Sequence, residues 1–144
     1  MDFTILIPEL LKITKQAGEA ILSIYNQSED FGIEIKTDKS PLTLADKAAN
    51  DIICEGLKEL PLLFPIISEE NKLLPFEERK HWTRCWLVDP LDGTKEFINR
   101  NGDFTVNIAL IESGNPVLGI VYVPILDELY WAVKNQGAFL IKNS

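Results

Sequence analysis

From Phe104 to Ile141 the chain is a succession of β-rich segments, FTVNIALIE, PVLGIVYV, ELYWAV and AFLI. SGNP between the first two is a hairpin turn signal, and NQG before Ala138 is another. This stretch reads as a β-meander, and connections that short suit antiparallel neighbours. Upstream the pattern changes. Residues 8–25 place Leu10, Ile13, Ala17, Ala20, Ile21 and Ile24 on one helical face, with Pro8 in the first turn. GIEIKTD alternates and reads as a short strand, with Ile33 and Ile35 facing one way. SPLTLADKAANDIICEGLKEL predicts a second helix, buried through Ala45, Ala48, Ala49, Ile52, Ile53 and Leu57, with Ser40 as its N-cap and Pro41 at its first position. FPIIS and CWLVD are short apolar strands, and residues 71–84 between them read as a charged loop. Helix, strand, helix, strand, loop, strand and meander is not regular βαβ alternation. It predicts an α+β fold, with two helices packed on an antiparallel or mixed sheet.

The 144 residues suffice for one domain with a proper core, and 46% of them are apolar. With 14 Lys+Arg against 22 Asp+Glu, the chain is a poor partner for a nucleic-acid polymer. A small phosphorylated ligand remains compatible, because metal ions can supply positive charge. The two cysteines, Cys54 and Cys85, form no C-x-x-C pair and are expected to be reduced, buried thiols. His81 is the single histidine, so a His-based zinc site or a Ser-His-Asp triad is poorly supplied. No segment approaches the ~20 apolar residues of a membrane span. With no basic n-region at the N-terminus, a cytoplasmic protein is expected.

The chemistry concentrates in four acidic positions. Asp46 lies early in the second helix; Glu69 and Asp89 each follow an apolar strand; Asp92 follows Asp89 by three residues in WLVDPLDGTKEF. Neighbouring strands would bring the ends bearing Glu69 and Asp89 together. Carboxylates that close raise one another's pKa, and a hard divalent cation resolves the conflict. Magnesium needs few protein carboxylates and completes its shell with water and substrate phosphate. Gly93 lets the backbone approach a ligand, Thr94 offers a hydroxyl, and a helix opened by TKEFI would aim free N–H groups at a phosphate. Taken singly, Asp92-Gly93 is an ordinary turn, Glu69-Glu70 a solvated loop charge and Asp46 a surface residue; the joined D-P-L-D-G-T string after a buried strand is not readily explained that way.

ISEE, WLVDPLDGTKEF and DFTVNIALIESGNPVLGIVYVP resemble the inositol monophosphatase superfamily of lithium-sensitive, magnesium-dependent phosphatases. The DGTKEF continuation and the SPLTLADKAAN segment look most like its 3'(2'),5'-bisphosphate nucleotidases. The resemblance runs from the first helix to about Leu140. It implies that residues 1–144 form the N-terminal metal- and phosphate-binding domain of an αβαβα sandwich. It further implies that Glu69, Asp89, the Leu91 carbonyl and Asp92 bind two or three magnesium ions, with Asp89 bridging. Glu69, Leu91, Asp92, Gly93 and Thr94 would hold the substrate. Asp46, Glu69 and Thr94 would be catalytic, Asp46 and Thr94 orienting and deprotonating the attacking water. The implied reaction, in sulfur assimilation, is hydrolysis of adenosine 3',5'-bisphosphate to AMP and phosphate by a metal-activated water, without a phosphoenzyme. Relatives of this type are often placed at the cytoplasmic face of the inner membrane, so peripheral membrane association is a second expectation.

Family members carry a later W-D-x-A-A-like motif, whose Asp is a further metal ligand, and a C-terminal α/β domain. This sequence has neither. The chain is therefore expected to be an N-terminal portion with one metal site incomplete and with apolar surface exposed where the second domain packs. Inositol or another small phosphate ester is the alternative substrate, and an inactive fragment or binding module the alternative role. Haloacid-dehalogenase chemistry fits less well: its D-x-D-G-T places the aspartates two residues apart, whereas here they are three apart.

Overall fold

The computed structural model describes residues 1–27, 30–36, 38 and 41–143. A 3-10 turn, Phe3–Leu6, capped by Asp2, leads into α1 (Ile7–Gln27), whose Leu10, Ile13, Ala17 and Ile21 are buried. A two-stranded ribbon, β1 (Glu34–Ile35) with β2 (Pro41–Leu42), precedes α2 (Leu44–Lys58). Then come β3 (Ile66–Ser68), a one-turn helix α3 (Phe76–Arg79), β4 (Arg84–Asp92) and the short helix α4 (Thr94–Ile98). The meander follows as β5 (Thr105–Glu112), β6 (Asn115–Val123), β7 (Glu128–Val133) and β8 (Ala138–Lys142).

The six strands from β3 onward form one sheet in sequence order. β3 and β4 are parallel and every later pair is antiparallel, so the sheet is mixed. The β5–β6 turn has two residues, Ser113 and Gly114, both at positive φ, the form that matches strand twist. α1 and α2 pack on each other and on one face of the sheet. Alternation supplies that face with Trp86 and Val88 from β4, Val106, Ile108 and Leu110 from β5, and Ile120 and Tyr122 from β6, all buried. The α+β expectation holds, including the two helices on a mixed sheet. The opposite face is apolar as well. Leu87, Ala109, Val121, Tyr130 and Phe139 help line an open hollow of about 640 Å³, and Leu87, Val121, Tyr130 and Phe139 are exposed.

Local departures have physical causes. α2 starts three residues later than proline suggested. Its N-cap is Thr43, whose hydroxyl takes the Asp46 N–H while Asp46 Oδ2 takes the Thr43 N–H at 2.8 Å, a reciprocal capping box. Pro41 belongs to β2 instead, and Ser40 lies outside the described residues. Ile33 and Ile35 are both exposed, and only Ile35 belongs to the ribbon. The charged loop contains α3, and Cys85 is half-buried, while Cys54 is buried as expected. Thr43→Ala removes the cap and the partner of a buried carboxylate. It is expected to cost about 1 kcal/mol, some 3 °C in thermal midpoint by circular dichroism.

An aromatic cluster fixes the segment after β4. Phe97 lies 4.6 Å from Phe31 and 5.3 Å from Phe104, and Tyr25 lies 5.1 Å from Phe104, ring centre to ring centre. Phe97 is fully buried and so anchors α4, which is too short to be stable alone.

Candidate active site

The parallel pairing of β3 with β4 sets Ser68 beside Val88, and the Glu69 N–H donates to the Val88 carbonyl at 3.1 Å. Glu69 and Asp89 thus leave the sheet side by side, as the strand-end argument required. Asp92 reaches the same place through a feature that alternation alone does not show. Asp89 pairs with Asn107 and Asp92 with Thr105, so β4 takes three steps where β5 takes two. In a regular strand, residues three apart point to opposite faces. The bulge resets the alternation, leaves Pro90 and Leu91 buried together, and brings Asp89 and Asp92 to one cavity. Pro90, with no N–H to give a ladder, suits that interruption.

The cavity, of about 260 Å³, is lined by Glu69, Asp89, Leu91, Asp92, Gly93 and Thr94, together with Lys36, Lys95 and Glu96. Asp92 Oδ2 accepts from Asn107 Nδ2 at 3.1 Å. Thr94 Oγ1 lies 2.9 Å from Asp46 Oδ1, as donor to it, and 3.3 Å from the Leu91 carbonyl. Asp46 does not line the cavity. It is 1% exposed, with Oδ2 committed to the Thr43 backbone and hydroxyl, so it reaches the site through Thr94. Thr94, at the start of α4, is therefore tied to α2.

Electrostatically the site is overloaded with negative charge. Burial, then a hydrogen bond to Glu69 and the charges of Glu69 and Asp92, push the Asp89 carboxyl from 3.8 up to about 7. Its Oδ1 is buried and, among the described residues, has no hydrogen-bond partner. One cation is built in. Lys36 Nζ lies 2.8 Å from Glu70 Oε1 and 3.9 Å from Glu69 Oε1. Burial opposes the Lys36 charge, but Glu70 and Glu69 outweigh it and hold its pKa above the ordinary lysine value. Glu70 is no solvated loop charge, since its side chain is 7% exposed in that pair. Sequence reasoning passed over Lys36, Lys95 and Asn107; the D-x-x-D bulge that recruits Asn107 has no signal in composition or spacing alone.

A divalent cation fits these residues. Asp89 Oδ1 is a buried acceptor with nothing to accept, beside two further carboxylates. Among the described residues no three acidic, histidine or cysteine side chains already close on one point. A cation held here would rest on one or two of these carboxylates and a main-chain carbonyl such as that of Leu91, with water or phosphate for the rest, a donor set of the kind magnesium takes.

Comparisons with known proteins bear on the fold and the family. The inositol monophosphatase family profile matches residues 6–143. The 3'(2'),5'-bisphosphate nucleotidase CysQ of Salmonella typhimurium is 49% identical over 132 residues, 92% of this chain and 53% of that protein. The crystal structure of CysQ from Bacteroides thetaiotaomicron superposes with a TM-score of 0.84 at 46% identity, over 98% of this chain and 50% of that one. The extragenic suppressor protein suhB of Bartonella henselae gives the same TM-score, 0.84, at 29% identity, over 95% of this chain and 52% of its own. The chain spans about half the length of the relatives it matches. From residue 6 to residue 143, the chain belongs to the inositol monophosphatase family.

Proposed function

We propose that the protein acts as a magnesium-dependent phosphatase on small phosphorylated nucleotides, with adenosine 3',5'-bisphosphate as substrate and AMP and phosphate as products. The observation that carries this reading is the orphaned Oδ1 of Asp89, whose carboxyl lines one cavity with Glu69, Asp92 and the Thr94 that bonds Asp46. Nearly half identity to bisphosphate nucleotidases favours the nucleotide over inositol phosphate. Glu69, Asp89, the Leu91 carbonyl and Asp92 would hold the cations. Once bound, they supply the positive charge that lets a phosphate ester enter an acidic cavity.

The chain's own groups do the rest. Thr94 Oγ1 donates to Asp46 Oδ1 at 2.9 Å, which leaves its lone pairs free to accept from an attacking water at the cavity; as that water gives its proton to Thr94, the Thr94 proton passes to the Asp46 carboxylate. Gly93, without a side chain, lets phosphate oxygens come against the backbone at the start of α4. Lys95 lines the cavity on the same helix and offers charge to a second phosphate group. On this reading the protein works in the cytoplasm, where its two free cysteines stay reduced; no helix among the described residues is long and apolar enough to cross a membrane.

The test is phosphate release by the purified protein from adenosine 3',5'-bisphosphate and from inositol 1-phosphate, with and without Mg²⁺, beside Asp92→Asn. Magnesium-dependent release that favours the nucleotide and vanishes in Asp92→Asn is the expected result. Preference for inositol phosphate would overturn the substrate assignment. No release from a folded chain that still binds Mn²⁺ would mark it as a binding module.

A further inference from the structure

The residues just outside the cavity explain how Glu69 is held. α2 carries Asp46 and Asn50 four residues apart, hence on one face, and both are buried. Asp46 ties α2 to Thr94. Asn50 ties it to the turn that bears Glu69 and Glu70. Asn50 Oδ1 accepts from Ser68 Oγ at 2.5 Å and from Cys54 Sγ at 3.4 Å, and Asn50 Nδ2 donates to Asn71 Oδ1 at 2.7 Å. Asn71 Nδ2 in turn donates to Cys54 Sγ at 3.5 Å. The turn is closed by its own bonds, Asn71 N to Ser68 O at 3.1 Å and Glu70 N to Ser68 Oγ at 3.4 Å. Residues 68 and 71 flank the two glutamates, and a single amide grips both.

The geometry points to Asn50 as the positioning residue for Glu69. It touches neither the cavity nor a phosphate, and it acts only through Ser68 and Asn71. An amide is the side chain for this task, because it offers an acceptor to Ser68 and a donor to Asn71 from one planar group. The Glu69 side chain is itself 53% exposed; among the described residues it meets the distant Lys36 and the Asp89 carboxyl, a carboxyl–carboxyl bond that a metal ion would displace, and its backbone bonds to β4. Its aim therefore depends on the turn. The inference rests on the reading of Glu69 as a metal ligand, for which partners one step removed commonly matter 10–100-fold in affinity.

Two readouts separate this role from simple packing. Amide hydrogen exchange on the metal-free chain reads the turn directly. In Asn50→Leu, Glu70 and Asn71 amides are expected to exchange about tenfold faster or more, with β4 and α2 amides unchanged. Mn²⁺ titration followed by electron paramagnetic resonance reads the consequence, with affinity expected to fall 10–100-fold. Asn50→Asp keeps the acceptor for Ser68 and is expected to fall between parent and Asn50→Leu in both, which keeps the test alive if the leucine variant does not fold. Ile53→Val, a packing loss on the same helix at a buried side chain that makes no bond to the turn, is expected to bind Mn²⁺ within about twofold of the parent. Unchanged exchange at Glu70 and Asn71 in Asn50→Leu would overturn the positioning role, as would equal weakening in Ile53→Val. Faster exchange with unchanged Mn²⁺ affinity would overturn the ligand reading of Glu69 instead.

Discussion

Asp89→Asn is expected to give a metal-free chain more stable than the parent above pH 7, and one that no longer binds Mn²⁺. The parent holds the Asp89 carboxyl near a pKa of about 7, against 3.8 ordinarily, because it is buried beside Glu69 and Asp92. Between about pH 4 and 7 the folded chain keeps a proton that the unfolded chain has released. The unfolded state binds fewer protons in that window, so stability falls as pH rises through it. Asparagine carries no such proton and no such charge, so this contribution to the slope disappears. In thermal scans without metal, the parent midpoint should drop between about pH 5 and 7 while the variant's stays flatter. Saturating Mg²⁺ should reverse the ranking, because only the parent gains binding free energy. The loss of Mn²⁺ affinity should exceed the 10–100-fold typical of residues one step removed from a metal. Parent affinity should itself weaken as the pH drops below about 7, since a ligand must first shed its proton. Equal Mn²⁺ affinity in the two proteins would remove Asp89 from the site.

Much of this site was legible because its residues sit at boundaries that sequence patterns mark. Apolar runs ending in Ser68 and Val88 predict strands, and polar residues at strand ends predict a shared edge, which the β3–β4 pairing provides. The short helix at TKEFI forms where the motif placed it. What stayed hidden depends on distance in the chain. Lys36 meets Glu70 across 34 positions and Thr94 meets Asp46 across 48, and no local period records such pairings. The α2 start was misread for a different reason. Pro41 is a strong local signal for a helix start, but Thr43 and Asp46 together satisfy two backbone N–H groups and a hydroxyl there, which a proline cannot do. The bulge at Pro90-Leu91 is the most instructive miss, since it is what turns a spacing of three into a shared face.

Gly93 follows that bulge, and Gly93→Ala is expected to be strongly damaging. Gly93 has φ 96° and ψ 40°, and an added Cβ would lie 2.6 Å from the Asp103 carbonyl oxygen and 3.2 Å from Phe104 Cα. Both are backbone atoms, so neither can rotate aside. The left-handed conformation alone costs a non-glycine residue roughly 1–2 kcal/mol. With the collision, a loss on the order of 3 kcal/mol is expected, some 9 °C in midpoint. Relief requires the 93–98 segment to move away from residues 103–104, and the Phe97 N–H bond to the Gly93 carbonyl at 2.9 Å moves with it. Thr94 is the next residue, so its bond to Asp46 opens too, and phosphate release should fall with the stability. Gly114→Ala separates the two causes. Gly114 also has positive φ, at 80°, but an added Cβ would meet nothing within 4 Å. It should cost only the roughly 1–2 kcal/mol of conformation and leave activity intact. Denaturant melts of the two variants, side by side, therefore measure the collision as a difference. If they lose equal stability, the Gly93 segment yields freely, and the close approach of Asp103 and Phe104 is not what holds Thr94 against Asp46.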